Sequence, residues 1–313
     1  MTTTPGTTPT QPVETVPAGT APVRAWLPLV AVATTLVLWA SAFVGIRHLG
    51  ESVPPGALSL SRLLVMALAL LALMRGRIPR LPTRREWPLI AAGGASWFGV
   101  YNLALNESER RIDAATAALI VQIGPLLVAL LATFFLGERL TKWLVIGMGV
   151  GFSGVVIIGR ASSQGDNGDL TGVLLAVVAA ATFAIGVLTQ KKLLPHMGAL
   201  DLTFWYAVVG AVVCLPWAGQ TVSVLGDASA DTLWWILYLG IFPSAIAFTT
   251  WAYALSHADA GKFALSTFLV PFITALMAWF LLDEVPPALA FVGGGLCIAG
   301  VLLTRRKPAR RAS

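Results

Sequence analysis

The chain has 313 residues, 57% of them hydrophobic and only 12% charged, with a mean hydropathy of +0.79. Soluble domains are about one quarter charged, so this composition excludes an ordinary soluble fold and, for most of the length, disorder. The formal charge of +6 would suit a nucleic-acid partner in a soluble protein, but its placement along this chain reads as membrane topology and no nucleic-acid partner is expected.

Residues 1–24 are rich in Thr and Pro and are predicted to be a disordered tail. They lack a basic leader start, and the apolar run that follows is long enough to span, which argues against a cleaved signal. Ten apolar runs come next, at 26–46, 56–75, 87–105, 113–135, 142–160, 170–189, 200–219, 232–255, 260–281 and 285–304. Each approaches the roughly 20 residues that a helix needs to cross a bilayer core. The fold class read here is an all-α integral membrane protein with ten transmembrane helices. Residues 305–313 form a short basic tail.

Lys and Arg in short loops mark the cytoplasmic side. With the N-terminus inside, sixteen of them fall in inner segments and four, Arg47, Arg110, Arg111 and Arg160, in outer ones. Both termini are therefore expected in the cytoplasm, with the chain in the cell membrane.

The sequence repeats itself. A shift of 146 residues places Asp113-Ala114 on Asp259-Ala260, Pro125 on Pro271, Glu138 on Glu284, and Gly147, Gly149 and Gly154 on Gly293, Gly295 and Gly300. A shift of 144 aligns the earlier parts more weakly, Arg47 on Lys191 and Leu49 on Leu193. The two copies are residues 25–160, helices 1–5, and 170–304, helices 6–10. Five helices per copy is an odd number, so the second copy enters from the opposite side. Inverted repeats of this kind are a signature of secondary transporters, with the substrate held near the midplane between the repeats.

The run Ala118-Leu119, Pro125, Leu136-Gly137-Glu138-Arg139-Leu140-Thr141, Gly147 and Gly154, with its second copy Ala264-Leu265, Pro271, Leu282-Asp283-Glu284, Gly293 and Gly300, resembles the EamA family of the drug/metabolite transporter superfamily. Trp39-Ala40-Ser41-Ala42-Phe43 also resembles that family's first helix. The second copy departs from the pattern at Asp283 and at Pro286-Pro287. The resemblance implies a ten-helix fold and export or facilitated passage of small metabolites, amino acids among them. It also implies a central cavity lined by helices 1, 3, 4, 6, 8 and 9.

The candidate cavity residues are Trp39, Ser41, Phe43, Tyr101, Asn102, Gln122, Phe183, Gln190, Trp251, Tyr253 and Ser266. Aromatic faces and amides without fixed charge suit neutral or zwitterionic metabolites. The same amides could instead serve as hydrogen bonds between helices. Pro125 and Pro271 read as mid-helix breaks that deprive the carbonyls of Val121 and Thr267 of their usual donors. Those carbonyls must find protein or water inside the membrane. Glu138 and Glu284 stand at the membrane boundary, where a carboxylate that pairs with a neighbour or a helix N-terminus is favoured over a proton carrier. Glu107 is the remaining coupling candidate. Arg62 is the intramembrane cation, read either as a structural side chain or as a receiver of a substrate carboxylate.

No cofactor or metal motif is present in the sequence. Cys214 and Cys297 lie inside apolar runs and read as packed thiols. Gly151-Phe152-Ser153-Gly154 resembles an intramembrane serine protease motif, but all three histidines sit at helix ends or in loops. The phosphate-gripping G-x-x-x-x-G-K-[ST] loop is absent. The expected partners are a small-molecule substrate and the lipid bilayer, in a monomer or homodimer, and the energy source is open between facilitated diffusion and exchange with protons. Multidrug efflux is the alternative activity, and a non-transporting scaffold leaves the repeat unexplained.

Overall fold

The structure is a computed structural model that describes residues 26–49, 52–112, 114–162, 169–282, 288–304 and 306. The two expected tails, apart from Arg306, and the candidate carboxylate Glu284 lie outside the described residues.

Every regular element among the described residues is helical. The first are α1 (Leu27–Leu49) and α2 (Pro55–Leu73). Next, α3 (Trp87–Gly93) runs through a π-helical stretch, Gly94–Val100, into α4 (Tyr101–Glu109). A turn at Gln122 separates α5 (Ala114–Val121) from α6 (Ile123–Phe135). After α7 (Lys142–Ser162) and α8 (Leu170–Leu193), α9 (Ala199–Cys214) passes through a 3-10 turn at Leu215–Trp217 into α10 (Ala218–Asp227). Pro216 lies in that turn, where it removes a helical donor. A second π-helical stretch, Ile241–Ile246, joins α11 (Ala230–Gly240) to α12 (Ala247–Ser256). The 3-10 stretch Leu265–Leu269 joins α13 (Ala260–Ala264) to α14 (Val270–Leu282), and α15 (Ala288–Thr304) closes the series.

Six stretches are long and apolar enough to cross a membrane: Leu27–Ile46, Pro55–Leu73, Leu170–Leu193, Ala199–Asp227, Ala230–Ser256 and Ala260–Met277. Leu119–Phe135, Lys142–Ile158 and Ala288–Thr304 are apolar but shorter. The helix starts follow local chemistry. Asp169 caps α8 by accepting the Thr171 and Gly172 amides at 2.8 and 3.2 Å. Ser229 caps α11 through the Thr232 amide at 3.1 Å.

Both prolines lie inside their apolar spans, Leu119–Phe135 and Ala260–Met277, next to the points where the helix is interrupted, the turn at Gln122 and the 3-10 stretch Leu265–Leu269. Pro125 lies in the first turn of α6 and Pro271 in the first turn of α14. A first-turn residue has no intrahelical acceptor for its N–H, so proline is tolerated there and the break falls just before it.

The glycines on α7 and α15 face each other within the chain. A Cβ on Gly154 would collide with the Gly293 carbonyl, and one on Gly300 would meet the Gly151 backbone at 2.5 Å. Small residues let two backbones approach this closely.

The repeat extends into segments where the sequence shows little likeness. Shifted by 146, residues 95–100 of the first π stretch fall on the second, Ile241–Ile246. Each stretch is braced from the other repeat in the same way. A Cβ on Gly94 would meet Val209 and the Tyr206 carbonyl; one on Gly240 would meet Val65 and the Arg62 carbonyl. Those partners, Tyr206 with Arg62 and Val209 with Val65, are 144 residues apart, the second shift read from the sequence.

Candidate substrate site

The first π stretch carries Trp97 and Phe98 into the centre of the molecule, where both are 1% exposed. Gly186 of α8 makes room for Trp97, since a Cβ there would collide with the Trp97 ring. Around it lie Trp39 of α1, Phe183 of α8, and Phe248 and Trp251 of α12. Trp97 meets Trp39, Phe183, Phe248 and Trp251 with ring centroids at 6.2, 5.2, 5.1 and 6.0 Å. Trp39 is 4.8 Å from Trp251 and 5.3 Å from Phe248. Phe263 of α13 closes one side, 4.4 Å from Trp251. Most of these are edge-to-face or tilted, the arrangement that ring quadrupoles prefer.

Polar atoms in this region are left over. The indole N–H groups of Trp39 and Trp251 are buried without a hydrogen-bond partner among the described residues. So are both the amide nitrogen and the oxygen of Gln190, two turns along α8 from Phe183 and fully buried. A buried polar group without a partner costs about 1–3 kcal/mol, and native proteins leave few of them without a ligand or water to satisfy them.

The structure thus gathers four of the sequence candidates, Trp39, Phe183, Gln190 and Trp251, with Tyr101 at the edge, 6.4 Å from Phe183. The other candidates are engaged elsewhere. The Ser41 hydroxyl bonds Tyr238 of α11 at 2.7 Å, and Phe43 packs with Val270 and Met277. Gln122 donates to the Thr267 carbonyl at 2.9 Å. Tyr253, half-buried near the end of α12, is tilted against His257 with ring centroids 4.7 Å apart. The Ser266 hydroxyl donates to the Phe263 carbonyl at 2.7 Å.

The resemblance implied a central cavity, and the aromatic rings described above pack against one another. A cavity of about 10 Å³ lies at the cluster's edge, bordered by Phe98, Phe248, Asn102, Ser59, Ser244, Arg62, Leu63 and Met66. Asn102 donates to the Phe98 carbonyl at 2.8 Å, and Arg62, 8% exposed, donates to the Ser244 hydroxyl at 3.3 Å. A wider groove of about 450 Å³ lies on the flank, between the start of α2, α4, α8 and Trp217.

The carboxylates divide clearly. Glu138 accepts the Ala260 and Gly261 amides at 2.6 and 2.9 Å, so it caps α13. Glu107 borders the flank groove and is ion-paired to Arg111 at 2.9 Å. Glu109 was missed in the sequence. One of its oxygens is buried without a partner among the described residues. Two helical steps of about 100° turn residue 109 to the face opposite Glu107, and that spacing was the available signal. Trp97 and Phe248 were missed too. Trp97 sits at the middle of its run, away from the ends where interface anchors belong.

No group of three or more His, Cys, Asp or Glu is placed to hold a metal among the described residues.

Comparison with known proteins bears on both repeats. Residues 26–160 and 170–306 each match the EamA-like transporter family. A probable terminal-alkyne amino-acid exporter of Streptantibioticus cattleyicolor is 37% identical over 278 residues, covering 88% of this chain and 93% of the relative. The uncharacterized transporter YdfC of Bacillus subtilis is 32% identical, covering 86% and 88%. A probable amino-acid metabolite efflux pump of Escherichia coli is 24% identical, covering 86% and 91%. A solved crystal structure superposes with a TM-score of 0.73 at 22% identity, covering 90% of this chain and 99% of the other.

Proposed function

We propose, from the premise that this multi-pass membrane protein belongs to the EamA-like transporter family, that it exports small neutral or zwitterionic metabolites, amino acids first among them. Ten helices cross the plasma membrane, with both termini in the cytoplasm, and the two five-helix repeats alternate access to a site between them. The observation that carries this reading is the buried aromatic cluster of Trp39, Trp97, Phe183, Phe248 and Trp251, with the unpartnered indole N–H groups and the Gln190 amide beside it. Its residues come from both repeats, where transporters built of inverted repeats hold their substrates. Aromatic faces take apolar side chains, and the free N–H and amide groups orient a polar end. The relatives named as exporters of amino acids or their metabolites support the same substrate class.

In this reading the rings occupy the site while it is empty, and they part to admit substrate. The breaks before Pro125 and Pro271 are the bending points. A multidrug carrier is the second reading, favoured by the density of ring faces available to a cation.

The test is flux of a labelled amino-acid panel, and of a cationic dye, in proteoliposomes with and without a pH gradient. Saturable amino-acid flux, reduced in Trp39→Phe and Gln190→Leu, is the expected result. Dye flux without amino-acid flux would overturn the first reading in favour of the second. A dependence on the gradient would make protons the coupling ion.

A further inference from the structure

We infer that Arg62, with Asn102, forms the subsite that receives a carboxylate of the transported molecule, and that carboxylates with an apolar tail are therefore the substrate class. The inference rests on the transporter reading above.

Arg62 is 8% exposed. Its recorded hydrogen bond, to the Ser244 hydroxyl, is 3.3 Å long, and a guanidinium has five N–H donors. No carboxylate among the described residues lies within ion-pair distance of it; Glu109 and the Tyr101 hydroxyl are the ionisable groups that face it from further away. A buried guanidinium without a partner in contact is costly, and most of its donors are left open to a ligand at hydrogen-bond distance.

A cavity of about 10 Å³ lies beside it, walled also by Leu63 and Met66. That is room for about one water, so a whole carboxylate enters as Phe98 and Phe248 move apart. The hydroxyls on its wall have already spent their hydrogens. Ser244 donates to the Leu239 carbonyl at 2.7 Å and Ser59 to the Pro55 carbonyl at 2.8 Å. The donors still available are those of Arg62 and the second amide hydrogen of Asn102, whose first goes to the Phe98 carbonyl. The Asn102 amide oxygen is an acceptor there, and the cation among the donors is what favours an anion.

Phe98 and Phe248 wall this cavity and also belong to the aromatic cluster, with centroids 4.5 Å apart. A molecule that fixes its carboxylate on Arg62 therefore lays its tail against Phe248 and on toward Trp39 and Trp97. Arg62 and the Ser244 hydroxyl that accepts from it come from opposite repeats, so an anion on Arg62 also registers how the repeats sit.

The experiment uses three probes on the full chain: L-phenylalanine, 3-phenylpropionate, which lacks the ammonium, and phenethylamine, which lacks the carboxylate. Ligand-induced thermal stabilisation in detergent and saturable flux in proteoliposomes are both read. The two acids should stabilise and move through the native protein, and phenethylamine should do neither. Arg62→Gln should weaken the response to both acids at least tenfold, and Arg62→Lys, which keeps the charge, should weaken it less. Should Arg62→Gln not fold, the native series decides alone. Phenethylamine acting as well as phenylalanine overturns the Arg62 assignment and leaves the transporter reading intact. No response to any of the three removes both this assignment and the amino-acid reading.

Discussion

The side-chain amide of Gln122 donates to the backbone carbonyl of Thr267 at 2.9 Å, across the boundary between the two repeats. Thr267 stands four residues before Pro271, whose ring nitrogen cannot supply the usual helical donor. The backbone there tightens to a 3-10 turn so that the Val270 amide reaches the same carbonyl, and Gln122 adds a second donor. In a membrane interior such a carbonyl has to be satisfied by protein or trapped water. Gln122 thus acts as a tie between repeats.

Gln122→Ala should lower stability by about 1 kcal/mol, the scale of hydrogen bonds between membrane helices. The measurement is the melting temperature of the purified protein in detergent. Unchanged stability together with a lost substrate response would return Gln122 to the substrate site.

Glu138 makes a second tie, from the loop after α6 to the first amides of α13. Its two charge-assisted bonds serve a helix start whose own N-cap residue, Asp259, makes no capping bond. Glu138→Ala should cost about 2 kcal/mol, given that hydrogen bonds to charged groups contribute about 1.5–3 kcal/mol each and this one is partly solvated. Glu138→Gln, which keeps one acceptor, should fall between. Equal melting temperatures for all three proteins would rule the tie out.

Gly154 lies against the Gly293 carbonyl, and α7 and α15 pack along that line. Gly154→Val should force the two helices apart and abolish the monodisperse peak in size-exclusion chromatography. Gly149, whose Cβ would meet open space, should accept Ala with the peak retained.

Two carboxylates outside the membrane-spanning segments set a direction for pH. The Thr83 amide holds the Glu86 carboxyl below its ordinary range, aided by Arg80. The Gly172 and Thr171 amides, then Arg111, do the same for Asp169. A carboxyl with a lowered folded-state pKa stabilises the fold above its ordinary pKa and loses that contribution as pH falls through the folded value. Melting temperature should therefore drop on acidification below the ordinary carboxylate range, and less steeply in Glu86→Gln and Asp169→Asn. A native profile as flat as those of the variants would contradict this.

Much of the fold was legible in the chain because its signals are local. An apolar run of a given length is a candidate span wherever it occurs, and the Pro–Glu–Gly spacing announced the repeat. The chemistry around Glu138 was legible too, as a boundary carboxylate favouring a helix start. The aromatic cluster was legible only in part. Trp39, Phe183, Gln190 and Trp251 were named, whereas Trp97, Phe248 and Glu109 were passed over, and Ser41, Tyr253 and Ser266 contact Tyr238, His257 and Phe263.

By itself the sequence determined an all-helical, multi-pass membrane protein of the EamA-like transporter family, built as two copies of one unit. Composition, length and repeat register carry that information without reference to which side of a helix faces what. Tertiary structure alone decided which faces meet: the two π stretches, the aromatic cluster, the Gln122–Thr267 tie and the cavity beside Arg62. The physical reason is that a helix apolar all round has no polar face to mark its outside. In lipid the choice of partner falls to steric fit and to a few hydrogen bonds between helices, and neither leaves a periodic trace in the chain.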